Sequence, residues 1–379
     1  TVAFLRAILE AAGHSVHVYT SPHLVRFNER IVVAGKEISD TALIDALRRV
    51  DTAMGEDMLT YFETTTVAAY LAFAETPADY AVIEVGLGGR LDATNVMETP
   101  LAAVVTPVDL DHQAFLGDTI LEVAGEKAGI FRRGAPAVIS RQTPDAMAAL
   151  QSHAQRTGAR IHAFGEQWSA HSEHGRLIYQ DDDGLCDLDP PRLAGAHQID
   201  NAATAVAAIR AAKLSLDNAT MSKGLGAANW PARMQRLTRG PLIDIARAAI
   251  GAEPEIWLDG GHNPHAGRAI SALMADLEAR SPRPLVMISG MQANKDAAGY
   301  FTPFKGLARK VYCVAADHDG VLAPDQVAAA ARAGGLDAEP CASLEEAMQK
   351  ACAGMQNEPP RFLISGSLYL SGDVLAENG

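Results

Sequence analysis

Between Tyr80 and Asn95 the chain reads Y-A-V-I-E-V-G-L-G-G-R-L-D-A-T-N, and this stretch constrains the fold more than any other. The apolar, β-branched run at 80–85 has the pattern of a buried parallel strand. A carboxylate at the end of that strand, Glu84, is followed at once by Gly86, Gly88 and Gly89. In open α/β sheets ligands bind beyond the carboxyl ends of the strands, and glycine lets backbone N–H groups approach them closely. Arg90 and Asp92 add a cation and a second carboxylate. A dinucleotide fingerprint, G-x-G-x-x-G, would need glycine where Leu91 stands, with a helix directly after. The stretch therefore reads as a phosphate, metal or substrate loop; the plain alternative is a glycine-rich turn with a few solvated charges.

With 379 residues the chain is too long for one ordinary core, so two domains are expected. A net charge of −14 argues against a nucleic-acid partner and against an anionic membrane surface. An anionic small substrate would need local Arg, Lys or a metal ion to offset that field. The four cysteines, Cys186, Cys313, Cys341 and Cys352, have no C-x-x-C spacing and read as reduced packing residues. No run reaches the roughly 18 apolar residues of a membrane span, and no signal peptide is recognisable. The expectation is a cytoplasmic protein. Because the chain opens at Thr1 directly in a helical pattern, a segment upstream is expected.

Helix at 2–12, glycine stop at Gly13, strand at 16–19 and polar loop T-S-P-H-L at 20–24 form the αβ half of a parallel crossover. Helices are expected at 41–50, 64–74 and 121–130, and strands at 102–106 and 137–140. Residues 161–188 shorten into β-like pieces around D-D-D-G at 181–184, read as a solvated hairpin tip because calcium-loop spacing is absent. An alanine-rich helix covers 199–212. Gly240-Pro241 reads as a linker, and beyond it strands and helices alternate again. The fold class is thus α/β, in two consecutive domains. Residues 1–236 form a P-loop-type, mostly parallel sheet with helices on both faces. Residues 241–379 form a smaller Rossmann-like domain.

Several short segments, in order and almost end to end, resemble the folylpolyglutamate synthase and dihydrofolate synthase family of the Mur ligase superfamily. They are T-S-P-H-L (20–24), L-T-Y-F-E (59–63), E-V-G-L-G-G-R-L-D-A-T-N (84–95), D-H (111–112), G-E-K-A-G-I-F-R (125–132), N-A-A-T-A (201–205), D-G-G-H-N-P-H-A (259–266), G-M-Q-A-N-K-D (290–296) and S-G-S-L-Y-L (365–370). The resemblance implies ATP-dependent ligation of L-glutamate to dihydropteroate or a reduced folate. The substrate carboxylate takes the γ-phosphate, glutamate's amine attacks the acyl phosphate, and phosphate leaves. Such chemistry needs positioning and charge neutralisation more than covalent help. A monomer with small-molecule partners is expected.

Carried over by motif, Ser21, Glu84 and His112 are the implied Mg²⁺ ligands, with His112 the weakest because magnesium prefers oxygen. Lys127 matches the family lysine that is carbamylated, which turns an ammonium into a carboxylate. Phe62, Glu63, Leu91, Asp92 and Ala93 match the pterin side, and Asp92 is also a catalytic candidate. A Tyr-Phe pair at a helix start is otherwise core. Asn201 and Arg233 resemble residues that touch ATP, and Asp259 the one that holds the ribose. His262 is placed near the phosphates or the incoming amino acid. Asn263 and Pro264 are accounted for by capping alone. Arg233 sits in P-A-R-M where the family more often has P-G-R-F: the cation is kept and the turn altered.

The family's phosphate loop, G-T-N-G-K-G-[ST], would immediately precede the helix at Val2, with Thr1 as its last residue. A chain truly beginning at Thr1 is expected to fold, to hold adenine nucleotide weakly and not to ligate. Two rival readings are a Mur-type ligase for a peptidoglycan precursor and a non-catalytic nucleotide- or folate-binding protein. The L-T-Y-F-E segment and the lack of a separate uridine-nucleotide domain count against the first.

Overall fold

The computed structural model describes residues 1–379 except 57, 354, 356 and 357. The chain forms two compact units, Thr1–Arg192 with His197–Asn229, and Leu193–Ala196 with Trp230–Gly379. The crossing at Asn229–Trp230 precedes Gly240-Pro241. That dipeptide is not a linker: Gly240, at φ +102°, caps the helix Pro241–Ile250, and Pro241 takes the first helical position.

In the first unit, helix Val2–Ala11 buries Phe4, Ile8 and Leu9 along one stripe, as its apolar spacing requires. The chain turns at Gly13 (φ +89°) into the fully buried strand Val16–Tyr19. This strand pairs in parallel with Tyr80–Ile83 and antiparallel with Ile31–Val33, so the sheet at the glycine loop is mixed. Strands Ala103–Val105, Pro136–Ile139 and Arg160–Ala163 form a separate, wholly parallel sheet. Strands Trp168–Glu173, Arg176–Asp181 and Gly184–Leu188 form an antiparallel meander. The acidic turn between the last two is only partly solvated. Asp181 pairs with Arg210 of helix Ala196–Ala211 at 2.5 Å, which holds its carboxyl below the ordinary range against the opposing effect of burial.

The second unit is built on one sheet of order Gln235–Leu237, Glu255–Asp259, Arg361–Ser365, Leu285–Ser289, Ala308–Cys313, Ala338–Pro340. Its first strand alone is antiparallel. Met274, Met287, Tyr300, Phe301, Phe304 and Leu363 are buried in one core cluster. At the amino ends of two central strands, Arg361 is 1% exposed and its Nε donates to Glu255 (2.7 Å). Arg361 also donates to the carbonyl of Ser281 (3.1 Å), and Trp257 donates to Glu255 (2.8 Å). Arg236 and Arg283 stand 3.6 and 3.5 Å from the same carboxylate. At the carboxyl ends Asp259, Ser365 and Ser289 lie in register.

Burial pushes the Glu255 carboxyl upward, but the bonds from Arg361 and Trp257 and the surrounding guanidinium charge outweigh it and leave the pKa lowered. Its stabilisation is therefore complete above the ordinary carboxylate value of 4.5 and is lost as pH falls through the lower folded value. Arg361→Met should cost about 3 kcal/mol by urea denaturation at neutral pH, because it removes one partner of a buried pair. The double variant with Glu255→Gln should cost less than the sum of the two single changes.

Candidate active site

Parallel pairing sets Tyr19 opposite Ile83, so the residues just beyond the two strands emerge side by side. Glu84 N–H donates to the Tyr19 carbonyl (2.8 Å), and Ser21 N–H donates to Glu84 Oε2 (3.1 Å). Two of the three expected metal ligands are thereby brought together by the sheet itself.

From Glu84 the glycine loop runs against the end of helix Ile120–Ala128 and the turn after it. A Cβ on Gly89 would lie 3.0 Å from the carbonyl oxygens of both Glu126 and Lys127. Gly88, at φ +68°, leaves room for Leu116, and Gly129 leaves room for the backbone of Arg90. Across this close contact Arg90 N–H donates to the Glu126 carbonyl (2.9 Å) and its guanidinium pairs with the Glu126 carboxylate (2.9 Å). Arg132 donates to the side chain and the carbonyl of Asn95 (2.6 and 3.1 Å). E-V-G-L-G-G-R-L-D-A-T-N and G-E-K-A-G-I-F-R are thus two halves of one packed structure.

Lys127 is half-buried in this structure. Burial draws its ammonium below the ordinary lysine value, and the Asp111 carboxylate opposes the shift. His112 follows Asp111 in a left-handed conformation (φ +53°) and caps the short helix Gln113–Leu116, whose Leu116 packs on Gly88. Among the described residues no three of His, Cys, Asp and Glu are grouped to hold an ion. Of the expected set the sheet joins Ser21 and Glu84, whose oxygen donors fit a hard divalent cation that keeps waters, while the His112 imidazole suits it less.

Helix Tyr61–Glu75 closes the other side of the loop. It begins at Tyr61, earlier than expected, so Phe62 and Glu63 lie in its first turn and not in a loop. Thr60 and Glu63 form a capping box: Thr60 N–H donates to Glu63 (2.7 Å), and Glu63 N–H donates to Thr60 Oγ1 (3.2 Å). The Phe62 ring lies where a Cβ on Gly86 would stand, 2.3 Å from its nearest atom. Tyr70, which sequence reasoning passed over, donates to the Thr94 carbonyl (2.9 Å); burial raises its hydroxyl pKa to about 12. Asp92 turns onto its own loop, accepting from the N–H groups of Leu87 and Thr94 (both 2.9 Å) and from Thr94 Oγ1 (2.5 Å). Leu91 is 80% exposed and Ala93 partly so. Asn201, on helix Ala196–Ala211, accepts from Thr1 Oγ1 (3.1 Å).

In the second unit Asp259 is buried and ties two segments together, accepting from Met234 N–H (2.8 Å) and Gly261 N–H (2.7 Å). Arg233 is bracketed by Ala232 and Met234, both in the left-handed region at φ +52° and +45°. The altered P-A-R-M turn therefore forms, with alanine where glycine would be unstrained. His262 Nδ1 donates to the Gly260 carbonyl (2.9 Å). Asn263 accepts from Ala266 N–H (2.9 Å) as N-cap of helix Pro264–Arg280, the role its sequence position implied.

Residues 22–209 match the Mur ligase middle domain and residues 246–368 the Mur ligase glutamate ligase domain. The chain is 34% identical to a folylpolyglutamate synthase of Lacticaseibacillus casei, over 97% of this chain and 84% of that one. It is 35% identical to a dihydrofolate synthase/folylpolyglutamate synthase of Escherichia coli, over 83% of this chain and 69% of that one. Escherichia coli FolC in complex with DHPP and ADP superposes with a TM-score of 0.86 at 30% identity, covering 99% of this chain and 84% of that one. A bifunctional folylpolyglutamate synthase/dihydrofolate synthase with Mn, AMPPNP and L-glutamate bound gives a TM-score of 0.84 at 31% identity, covering 99% and 85%. The chain belongs to the folylpolyglutamate synthase/dihydrofolate synthase family.

The close contact at the loop is directly testable. A methyl group at position 129 would stand 2.5 Å from Arg90 Cα, a backbone atom that cannot swing aside. Gly129→Ala should cost roughly 2 kcal/mol as an overpacking change and render residues 86–97 more sensitive to limited proteolysis.

Proposed function

We propose that the protein is an ATP-dependent ligase that joins L-glutamate to the carboxylate of dihydropteroate or a reduced folate. The observation that carries the reading is the pairing of Ser21 and Glu84 at adjacent strand ends, beneath a glycine loop packed on the helix of Lys127. A substrate carboxylate oxygen attacks the γ-phosphorus of ATP and ADP leaves. The α-amine of glutamate then attacks the acyl carbon. Phosphate departs, the amine loses a proton, and an amide remains. Catalysis by such a site lies in holding charged groups in line.

In this reading Ser21, Glu84 and His112 hold Mg²⁺, which when bound offsets the charge of the phosphates. Lys127 in its carbamylated form adds an anionic oxygen donor. Its lowered pKa supports this, since only the neutral amine takes up CO₂. Leu91 and Ala93 face the pterin, while Phe62 and Asp92 serve chiefly by fixing the loop, as their packing and hydrogen bonds support, and Glu63 by fixing the start of the helix that carries Phe62. Asn201 and Arg233 bind the nucleotide, Asp259 orients the ribose, and His262 receives the phosphate end or the amino acid. We assign the first unit chiefly to ATP and folate binding and the second, which begins at Trp230 and not after residue 236, to the glutamate-ligase function, in a cytoplasmic monomer. No helix among the described residues is long and apolar enough to cross a membrane.

ADP release by the full-length protein should require dihydropteroate or tetrahydrofolate, glutamate and magnesium together. Release that ignores the pteridine substrate would overturn the reading. Glu84→Gln should lower turnover well beyond tenfold, a loss of more than about 1.4 kcal/mol of transition-state stabilisation. Because an amine must be neutral to accept CO₂, carbamate occupancy at Lys127 should fall as pH falls and recover with added bicarbonate. Carbon NMR with labelled bicarbonate reads this apart from activity, and a bare amine under saturating bicarbonate and magnesium refutes it.

A further inference from the structure

Beside the Ser21–Glu84 pair lies a cation that none of the roles above uses. Arg30 is 8% exposed, and antiparallel pairing sets it across from Thr20, whose N–H donates to its carbonyl (3.0 Å). Its guanidinium carbon stands 5.3 Å from the centre of the Phe27 ring and 5.7 Å from that of Tyr61. Its Nε donates to His23 Nδ1 (2.8 Å). Among the described residues no carboxylate pairs with it. The neighbouring Glu29 is committed to the N–H groups of Leu24, Val25 and Arg26 (2.7, 2.9 and 2.7 Å). No buried side-chain nitrogen among the described residues lacks a hydrogen-bond partner, so the terminal nitrogens of Arg30 are the part that reaches solvent.

A guanidinium largely withdrawn from water without a counter-ion is costly, and two aromatic faces offset only part of that cost. The chain as a whole carries a net charge of −14, which makes the missing partner more conspicuous. The planar fork matches a carboxylate bidentately. Because Nδ1 of His23 accepts from Arg30, the neutral ring carries its proton on Nε2, a second donor on a residue bonded to the guanidinium. Arg30 and Glu84 flank the Val16–Tyr19 strand on opposite sides, two strand spacings or about 10 Å apart. That backbone spacing leaves room for an anion on Arg30 separate from a group reacting near Glu84.

We propose that Arg30, with His23, binds the non-reacting α-carboxylate of a folyl-glutamate substrate and so distinguishes it from dihydropteroate, which has only the reacting carboxylate. The proposal rests on the folate reading above.

The test is calorimetric titration of the full-length protein with tetrahydropteroyl monoglutamate, with its α-amide, and with dihydropteroate. Wild type should bind the acid at least tenfold more tightly than the α-amide. Arg30→Gln should weaken the acid tenfold or more while leaving dihydropteroate and ATP within twofold. Arg30→Lys, which keeps the charge and loses the fork, should fall between. The wild-type comparison stands even where a variant fails to fold. Equal binding of acid and α-amide, or equal weakening of acid and dihydropteroate by Arg30→Gln, overturns the proposal alone. Absence of any pteridine binding by wild type overturns the folate reading with it.

Discussion

The backbone of the glycine loop lies directly on the carbonyls of Glu126 and Lys127, and the geometry of the first unit's candidate site depends on that contact. Side chains cannot mediate it, because a single Cβ on Gly89 would already touch both oxygens. The contact joins three things that otherwise belong to different elements: the carboxylate at the end of the Tyr80–Ile83 strand, the exposed Leu91, and the lysine of the Ile120–Ala128 helix. Phe62 and Tyr70 press from the opposite side. A loop held in this way keeps the groups it carries in place with little reorganisation, which the proposed phosphoryl chemistry would reward.

The second unit uses the two ends of its sheet for opposite purposes. At the amino ends, Glu255 and Arg361 are desolvated and satisfied by one another and by nearby carbonyls. At the carboxyl ends, Asp259 spends its oxygens on the backbone of Met234 and Gly261, giving shape to two turns that carry Arg233 and His262. Charge thus stabilises at one end and organises a surface at the other.

Much of this was legible in the sequence because glycine and caps act locally. Gly86, Gly88 and Gly89 after a β-branched run, and Asn263-Pro264 before an amphipathic one, carry their meaning within a few residues. T-Y-F-E carries a capping-box signal too, with Thr60 three residues before Glu63, yet apolar spacing alone starts the helix at 64 where the structure starts it at Tyr61. Gly240-Pro241 looks the same as a linker or as a helix start; what decides is Asn378, whose side chain accepts Leu242 N–H (2.9 Å) from across the sequence. Arg30 was invisible for a similar reason. Nothing in F-N-E-R-I says that the arginine will be buried between rings from two segments and, among the described residues, paired with no carboxylate.

The path of the chain between the units has a further meaning. Residues 193–196 belong to the second unit while their neighbours on both sides belong to the first, and Ala194 packs against the second unit's core. The polypeptide therefore passes from one unit to the other three times, at 192–193, 196–197 and 229–230. No single cut yields both halves intact. A fragment from Trp230 onward would lack the piece that covers part of its core, and gene fusions or exchanges that treat the halves as beads on a string would sever a stitch that the fold requires.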